Sequence, residues 1–84
     1  MYYVYVLRSI TNGKLYVGRS DDLKKRIRAH FNKKVKTTKR FGEVKLVFYE
    51  AFLDRKDSIR REKYFKTSKG KSSLRQIIRE SMDI

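Results

Sequence analysis

The sequence predicts a small α+β domain: a three-stranded antiparallel sheet flanked by three helices, in the order ββαβαα. Three observations carry that prediction. Two runs rich in Tyr, Val and Leu are separated by Asn12-Gly13, the chemistry of a tight hairpin turn. A later run, VKLVFYEAF, is equally rich in β-branched and aromatic residues. Between and after these runs, apolar residues recur at helical spacing.

The first strand is expected over Tyr2 to Leu7, a nearly unbroken apolar run that suits a central strand. Asn12 and Gly13 both tolerate positive φ, and Leu15 to Arg19 resumes the extended pattern, giving an antiparallel hairpin. Ser20 or Asp21 then caps a first helix, whose stripe is Leu23, Ile27 and Phe31. The polar, basic stretch NKKVKTTKRFGE over 32–43 reads as a loop, and Val44 to Phe52 as the third strand. Asp54 with Asp57 resembles a capping box for a second helix over 55–67. The segment SKGKSS is expected to end it, with Gly70 as its C-terminal cap. Leu74, Ile77, Ile78 and Met82 mark the stripe of a third helix. With no repeat, no proline and no linker, residues 1–84 are expected to form a single domain.

Charge narrows the function. Twenty-three Lys and Arg against nine Asp and Glu leave a net charge of +14 on 84 residues. Such a balance points to a polyanion, and to nucleic acid in particular. The bland alternative is a highly charged surface with no specific partner. A membrane surface fits less well, because the apolar helix faces are needed for a core. No apolar run approaches the ~20 residues of a membrane span. The N-terminus lacks the layout of a secretory signal, and there is no cysteine. The expectation is a cytoplasmic, soluble protein without a thiolate metal site.

Several polar residues fall where a core is expected. On a helical wheel at about 100° per residue, His30 lies ~20° from Leu23 and Arg26 ~60° from it on the same side. The only histidine of the chain thus sits on the apolar stripe, with Arg26 one turn before it. In the second helix, Glu62 lies between Ile59 and Phe65 on the inner face. A carboxylate facing inwards is costly unless paired or ligated. Strand alternation puts Tyr3, Tyr5 and Leu7 on one face, and Tyr16 shares a face with Gly18. A strand glycine marks close approach of a ligand or another backbone. Each has a plain structural reading: core tyrosines, an arginine over the core edge, a satisfied histidine, a Glu62–Arg26 ion pair. Their joint occurrence suits phosphodiester hydrolysis. One carboxylate can anchor a Mg²⁺ that keeps most of its waters, arginines neutralise phosphate oxygens, and Tyr or His positions or deprotonates water. There is no Walker loop for nucleotide hydrolysis and no cluster of acids for two metals.

Tyr3-Val4-Tyr5, ten intervening residues, and Tyr16-Val17-Gly18 resemble the paired motif of the GIY-YIG nuclease superfamily. The continuation RSDDLKKRIRAHF and the later RREKYFK are similar to the family's next two motifs. The likeness spans nearly the whole chain and is greatest to small stand-alone bacterial members and to the nuclease module of the excision-repair incision protein. It implies a metal-dependent endonuclease, structure-selective or weakly specific, that hydrolyses DNA phosphodiesters in repair, recombination or processing, using Mg²⁺ or Mn²⁺. The implied catalytic residues are Tyr5, Tyr16, Arg19, Arg26 and His30, with Glu62 as metal ligand. The first motif opens with Tyr3 where the family has Gly, and the family's late Asn has no match in TSKGKSSLRQ, where Ser72 and Ser73 are the nearest polar residues. The basic residues Lys33, Lys34, Lys36, Lys39 and Arg40 are expected to hold the nucleic-acid backbone. DNA is the preferred partner, with RNA and the oligomeric state left open. The rival reading is a nuclease-like module that grips DNA or RNA without cutting it.

Overall fold

The computed structural model describes residues 1–83, apart from the Thr37 side chain. The expected domain therefore ends on Ile84, which lies outside the described residues. Strands β1 (Tyr2–Ser9), β2 (Leu15–Ser20) and β3 (Val44–Phe52) form one antiparallel sheet in the order β2-β1-β3. Helices α1 (Leu23–Phe31), α3 (Arg55–Phe65) and α4 (Ser68–Ile77) complete the predicted ββαβαα order. The expected loop over 32–43 contains a single helical turn, α2 (Lys36–Lys39), and the described residues end in a 3₁₀ turn, Ser81–Asp83.

β1 is central because both its faces are covered. Val4, Tyr5, Val6 and Leu7 are all fully buried, which is why the run reads as continuously apolar. Val4 and Val6 pack with Phe65 of α3 and Leu74 of α4, joined by Ile78. Tyr5 and Leu7 face the other way, onto Ile27 of α1 and Val44, with Tyr16, Leu23, Phe41 and Leu46 at the margin. The sheet thus separates α1 from the α3–α4 pair. Arg61 fixes α3 against β3: its Nε donates to Glu50 Oε1 at 2.8 Å, and its guanidinium lies 4.4 Å from the Phe65 ring centre.

The structure corrects four local expectations. The α1 cap is Asp22, whose carboxylate accepts from the Lys25 amide, while the Ser20 hydroxyl donates to the Asp22 carbonyl and accepts from the Asp22 amide. Phe31 is 53% exposed, because His30 occupies the stripe and leaves Phe31 at its margin. Ile77 is likewise 49% exposed, since Leu74 and Ile78 take the inward positions of that stripe. Gly70 is no C-cap. α3 stops at Phe65 with Lys66 as its cap, and Thr67 caps α4 by accepting the Gly70 amide at 3.0 Å. Gly70 lies in the first turn of α4, where a Cβ would come within 1.7 Å of the Tyr64 carbonyl oxygen. Its role is to let two helices meet backbone to backbone.

Candidate active site

Hairpin register decides which side chains share a face. Tyr5 stands opposite Gly18 and Leu7 opposite Tyr16, so both tyrosines point towards α1. Gly18 makes room for the Tyr5 ring: a Cβ there would lie 2.5 Å from both the ring and its hydroxyl. The close approach expected at this glycine is therefore that of a neighbouring side chain, not of a ligand.

Tyr5 is fully buried, and its hydroxyl lies 2.7 Å from His30 Nε2. Arg26 Nε donates to the same hydroxyl at 3.4 Å. On the far side of the imidazole, Nδ1 lies 2.7 Å from Thr38 Oγ1, which in turn donates to the Val35 carbonyl at 3.4 Å. These contacts set the proton pattern. Thr38 spends its proton on Val35, so it accepts from Nδ1–H; Nε2 then accepts from Tyr5, whose lone pair accepts from Arg26. The result is a chain running Arg26, Tyr5, His30, Thr38. The Tyr16 ring closes the group, with its centre 5.2 Å from the imidazole and 6.3 Å from the Tyr5 ring.

Burial tunes the members. It pushes the Tyr5 phenol up to about 12, with the hydrogen bond from Arg26 opposing and the nearby Tyr16 and Glu62 adding to the rise. It also pulls His30 down to about 4, helped by the charge of Arg26. Arg26 is held more firmly charged by its bond to Tyr5, despite partial desolvation, with smaller help from Tyr16. Near neutral pH, Tyr5 is a phenol and His30 a neutral imidazole. His30 is only 2% exposed, and both its ring nitrogens are occupied, Nε2 by Tyr5 and Nδ1 by Thr38.

Arg19 and Glu62 approach from the other face. Arg19 stands opposite Val4, on the α3 side of the sheet, and its Nε is 3.6 Å from Glu62 Oε1. Lys66 Nζ lies 3.4 Å from Glu62 Oε2. The Arg19 and Glu62 side chains are partly exposed, at 28% and 22%, while Arg19 Nε itself is buried and makes no hydrogen bond. The two groups meet at the end of β2. There Arg19, Arg26 and Arg55 line one cleft with Tyr2, Ser20 and Asp21. The candidate residues therefore form an aromatic–imidazole cluster and an acid–arginine pair on opposite faces of the sheet, joined by a cleft that Arg19, Arg26 and Arg55 line. Glu62 reaches the first cluster electrostatically, through Tyr5.

Among the described residues, no three His, Asp or Glu side chains gather as a metal cage. The donor set fits a hard cation held by Glu62 and keeping most of its waters, and does not fit one enclosed by protein. Lys33, Lys34, Lys36, Lys39 and Arg40 are all exposed around α2. Their segment is pinned beneath the site by Thr38 and by Ser9 Oγ, which donates to the Phe41 carbonyl at 2.7 Å. Ser72 is exposed and Ser73 half-buried on α4. Sequence reasoning missed Thr38 and Arg55. Thr38 lies in a segment without periodicity, and Arg55 looks like any exposed first-turn residue; only the folded chain shows what each one meets.

Fold and site together define a member of a nuclease family. Residues 1–76 match the GIY-YIG catalytic domain, and the chain belongs to that family. Its relatives are small bacterial proteins. It is 37% identical over 83 residues to a UPF0213 protein of Clostridium perfringens, covering 98% of this chain and 88% of the relative. It is 36% identical over 76 residues to one from Streptococcus agalactiae, covering 89% and 85%. The solution NMR structure of a UPF0213 protein from Bacillus halodurans superposes with a TM-score of 0.57 at 31% identity, over 92% of this chain and 85% of that one. No helix among the described residues is long and apolar enough to cross a membrane.

Proposed function

We propose that the protein is a divalent-cation-dependent endonuclease acting on DNA, with Glu62 holding Mg²⁺ or Mn²⁺. The observation that supports this reading best is the hydrogen-bonded chain from Arg26 through Tyr5 to His30, opening on the cleft that Arg19 shares. Arg19 and Arg26 neutralise the non-bridging oxygens of the scissile phosphate as charge builds there. Glu62 would hold the cation, which would supply Lewis-acid stabilisation of the leaving oxygen when bound.

Tyr5 stays protonated, is a poor base and is fully buried; it orients the Arg26 guanidinium from behind. Tyr16 is the half-buried phenol beside Arg26 and is the residue assigned to the attacking water. His30 and Thr38 are positioning residues: they hold the Tyr5 proton away from the substrate side. A role in repair or DNA processing is consistent with such an activity, and the basic 33–40 segment supplies backbone contacts.

One observation favours the rival, a binding module without catalysis. Glu62 already carries two cationic partners, Arg19 and Lys66, which a metal ion has to share. Labelled duplex, branched and single-stranded DNA, incubated with and without Mg²⁺ or Mn²⁺, separates the two. Cleavage should require the cation and fall by ~10²–10³-fold in Arg26→Ala, the cost of losing one charge-stabilising donor. Glu62→Ala should abolish the metal-dependent cleavage. Equal cleavage by wild type and both variants removes the assignment, and binding without metal-dependent turnover supports the rival.

A further inference from the structure

A second basic feature lies outside both the cleft and the 33–40 segment. Lys14, Lys66, Lys71 and Arg75 surround a groove of about 470 Å³ between the hairpin and α4. Tyr16 and Phe41 form part of its wall, and their rings meet edge to face with centres 6.4 Å apart. Its floor is apolar, with Val17 and Leu74 among the lining residues, and no carboxylate lines it. Lys71 and Arg75 are one turn apart on α4 and both are exposed, so their charges can converge over the opening. The groove joins the candidate site at two points: Tyr16 belongs to both, and Lys66 touches Glu62.

We infer that this groove carries the unpaired strand that flanks the scissile bond. The inference rests on the nuclease reading and adds a substrate class to it. A duplex turns its base faces inward and presents only phosphates and groove edges. An unpaired strand offers both elements the groove is made for, phosphates for the ring of cations and base faces for aromatic and apolar walls. The volume lies within the ~300–1,000 Å³ of small-ligand pockets, which suits one nucleoside at a time. An acidic protein segment would meet the same cations, but nothing in the groove selects for one. The protein should therefore prefer cuts at junctions, where a strand leaves its duplex beside Tyr16.

The test compares two pairs of neutralising substitutions on exposed helix positions. Lys71→Gln with Arg75→Gln removes charge from the groove; Lys24→Gln with Arg28→Gln removes the same charge from α1. Binding of a labelled oligothymidylate and of a blunt hairpin duplex is measured by anisotropy in EDTA. The groove pair should weaken oligothymidylate by ~10-fold more than the α1 pair does, and lower its log–log salt slope by about 1.4, or ~0.7 for each phosphate no longer neutralised. Hairpin binding should fall equally in both pairs. With metal present, the groove pair should slow cutting at a single-strand junction and leave blunt-duplex cutting within about 2-fold of wild type. Equal weakening of oligothymidylate by both pairs overturns the groove and leaves the endonuclease reading intact. Absence of any cleavage by wild type removes that reading, and the binding arm then decides the groove alone.

Discussion

At the scale of single residues, the decisive feature is a histidine held neutral in the protein interior. His30 has lost water on every side and gained Tyr5 and Thr38 in exchange, a pairing that suits the uncharged ring. Its folded value of about 4 lies below the ordinary 6.5. Between these two values the unfolded chain binds a proton that the folded chain refuses, so stability rises with pH and is lost as pH falls from 6.5 towards 4. At ~1.4 kcal/mol per pH unit, the loss approaches about 3 kcal/mol. Carboxylates titrate nearby, so the measurement is a difference. Urea unfolding across this range, for wild type and His30→Gln, should give curves that converge at low pH. Parallel curves would mean that the imidazole takes up its proton equally in the folded and unfolded chain.

At the scale of elements, the hairpin, the third strand and the order of helices were legible because each is written in local chemistry: a turn pair, β-branched runs, caps followed by periodic stripes. What was not legible depends on partners far away in the chain. The wheel put His30 on the buried stripe, yet only the fold shows that its partner is Tyr5, on the strand beneath. The same holds for Glu62, inward as expected but aimed at Arg19 on the α3 side of the sheet. Gly70 shows the limit most plainly. A glycine between two helical stripes reads as a stop, while in the folded chain it is the contact point of α3 and α4. Gly70→Ala should gain helix propensity of about 1 kcal/mol and still destabilise, because the methyl group meets backbone and the overpacking costs ~1–3 kcal/mol or more. A lower urea midpoint with an unchanged slope would bear this out. A higher midpoint would show that the helices can part there at no cost.

At the scale of the whole molecule, +14 charges are confined to a body of 32 × 27 × 19 Å. At ~0.01 M salt the screening length of ~30 Å spans the molecule, whereas at ~0.1 M it shrinks to ~10 Å. Like-charged pairs outnumber opposite ones, although ion pairs such as Arg61–Glu50 offset part of the repulsion. Added NaCl should therefore stabilise the free protein, raising Tm by about 4–8 °C for each kcal/mol of repulsion relieved. Over the same range it should weaken nucleic-acid binding. Scanning calorimetry in a salt series checks the first effect, and a Tm that falls with salt would show that the ion pairs outweigh the repulsion. The two effects share one origin, since a bound polyanion relieves the same repulsion that salt screens.

Thr38 gives the fold one further property. It belongs to the basic segment by position and to the buried cluster by contact, so the stretch best placed to be rewritten for a new target also carries the last hydroxyl of the proton chain. Grafting a foreign segment between α1 and β3 would leave the imidazole with a bare nitrogen unless the graft returns a side-chain acceptor to that spot. Retargeting this scaffold is therefore a matter of exchanging lysines around a fixed pivot rather than replacing the segment whole.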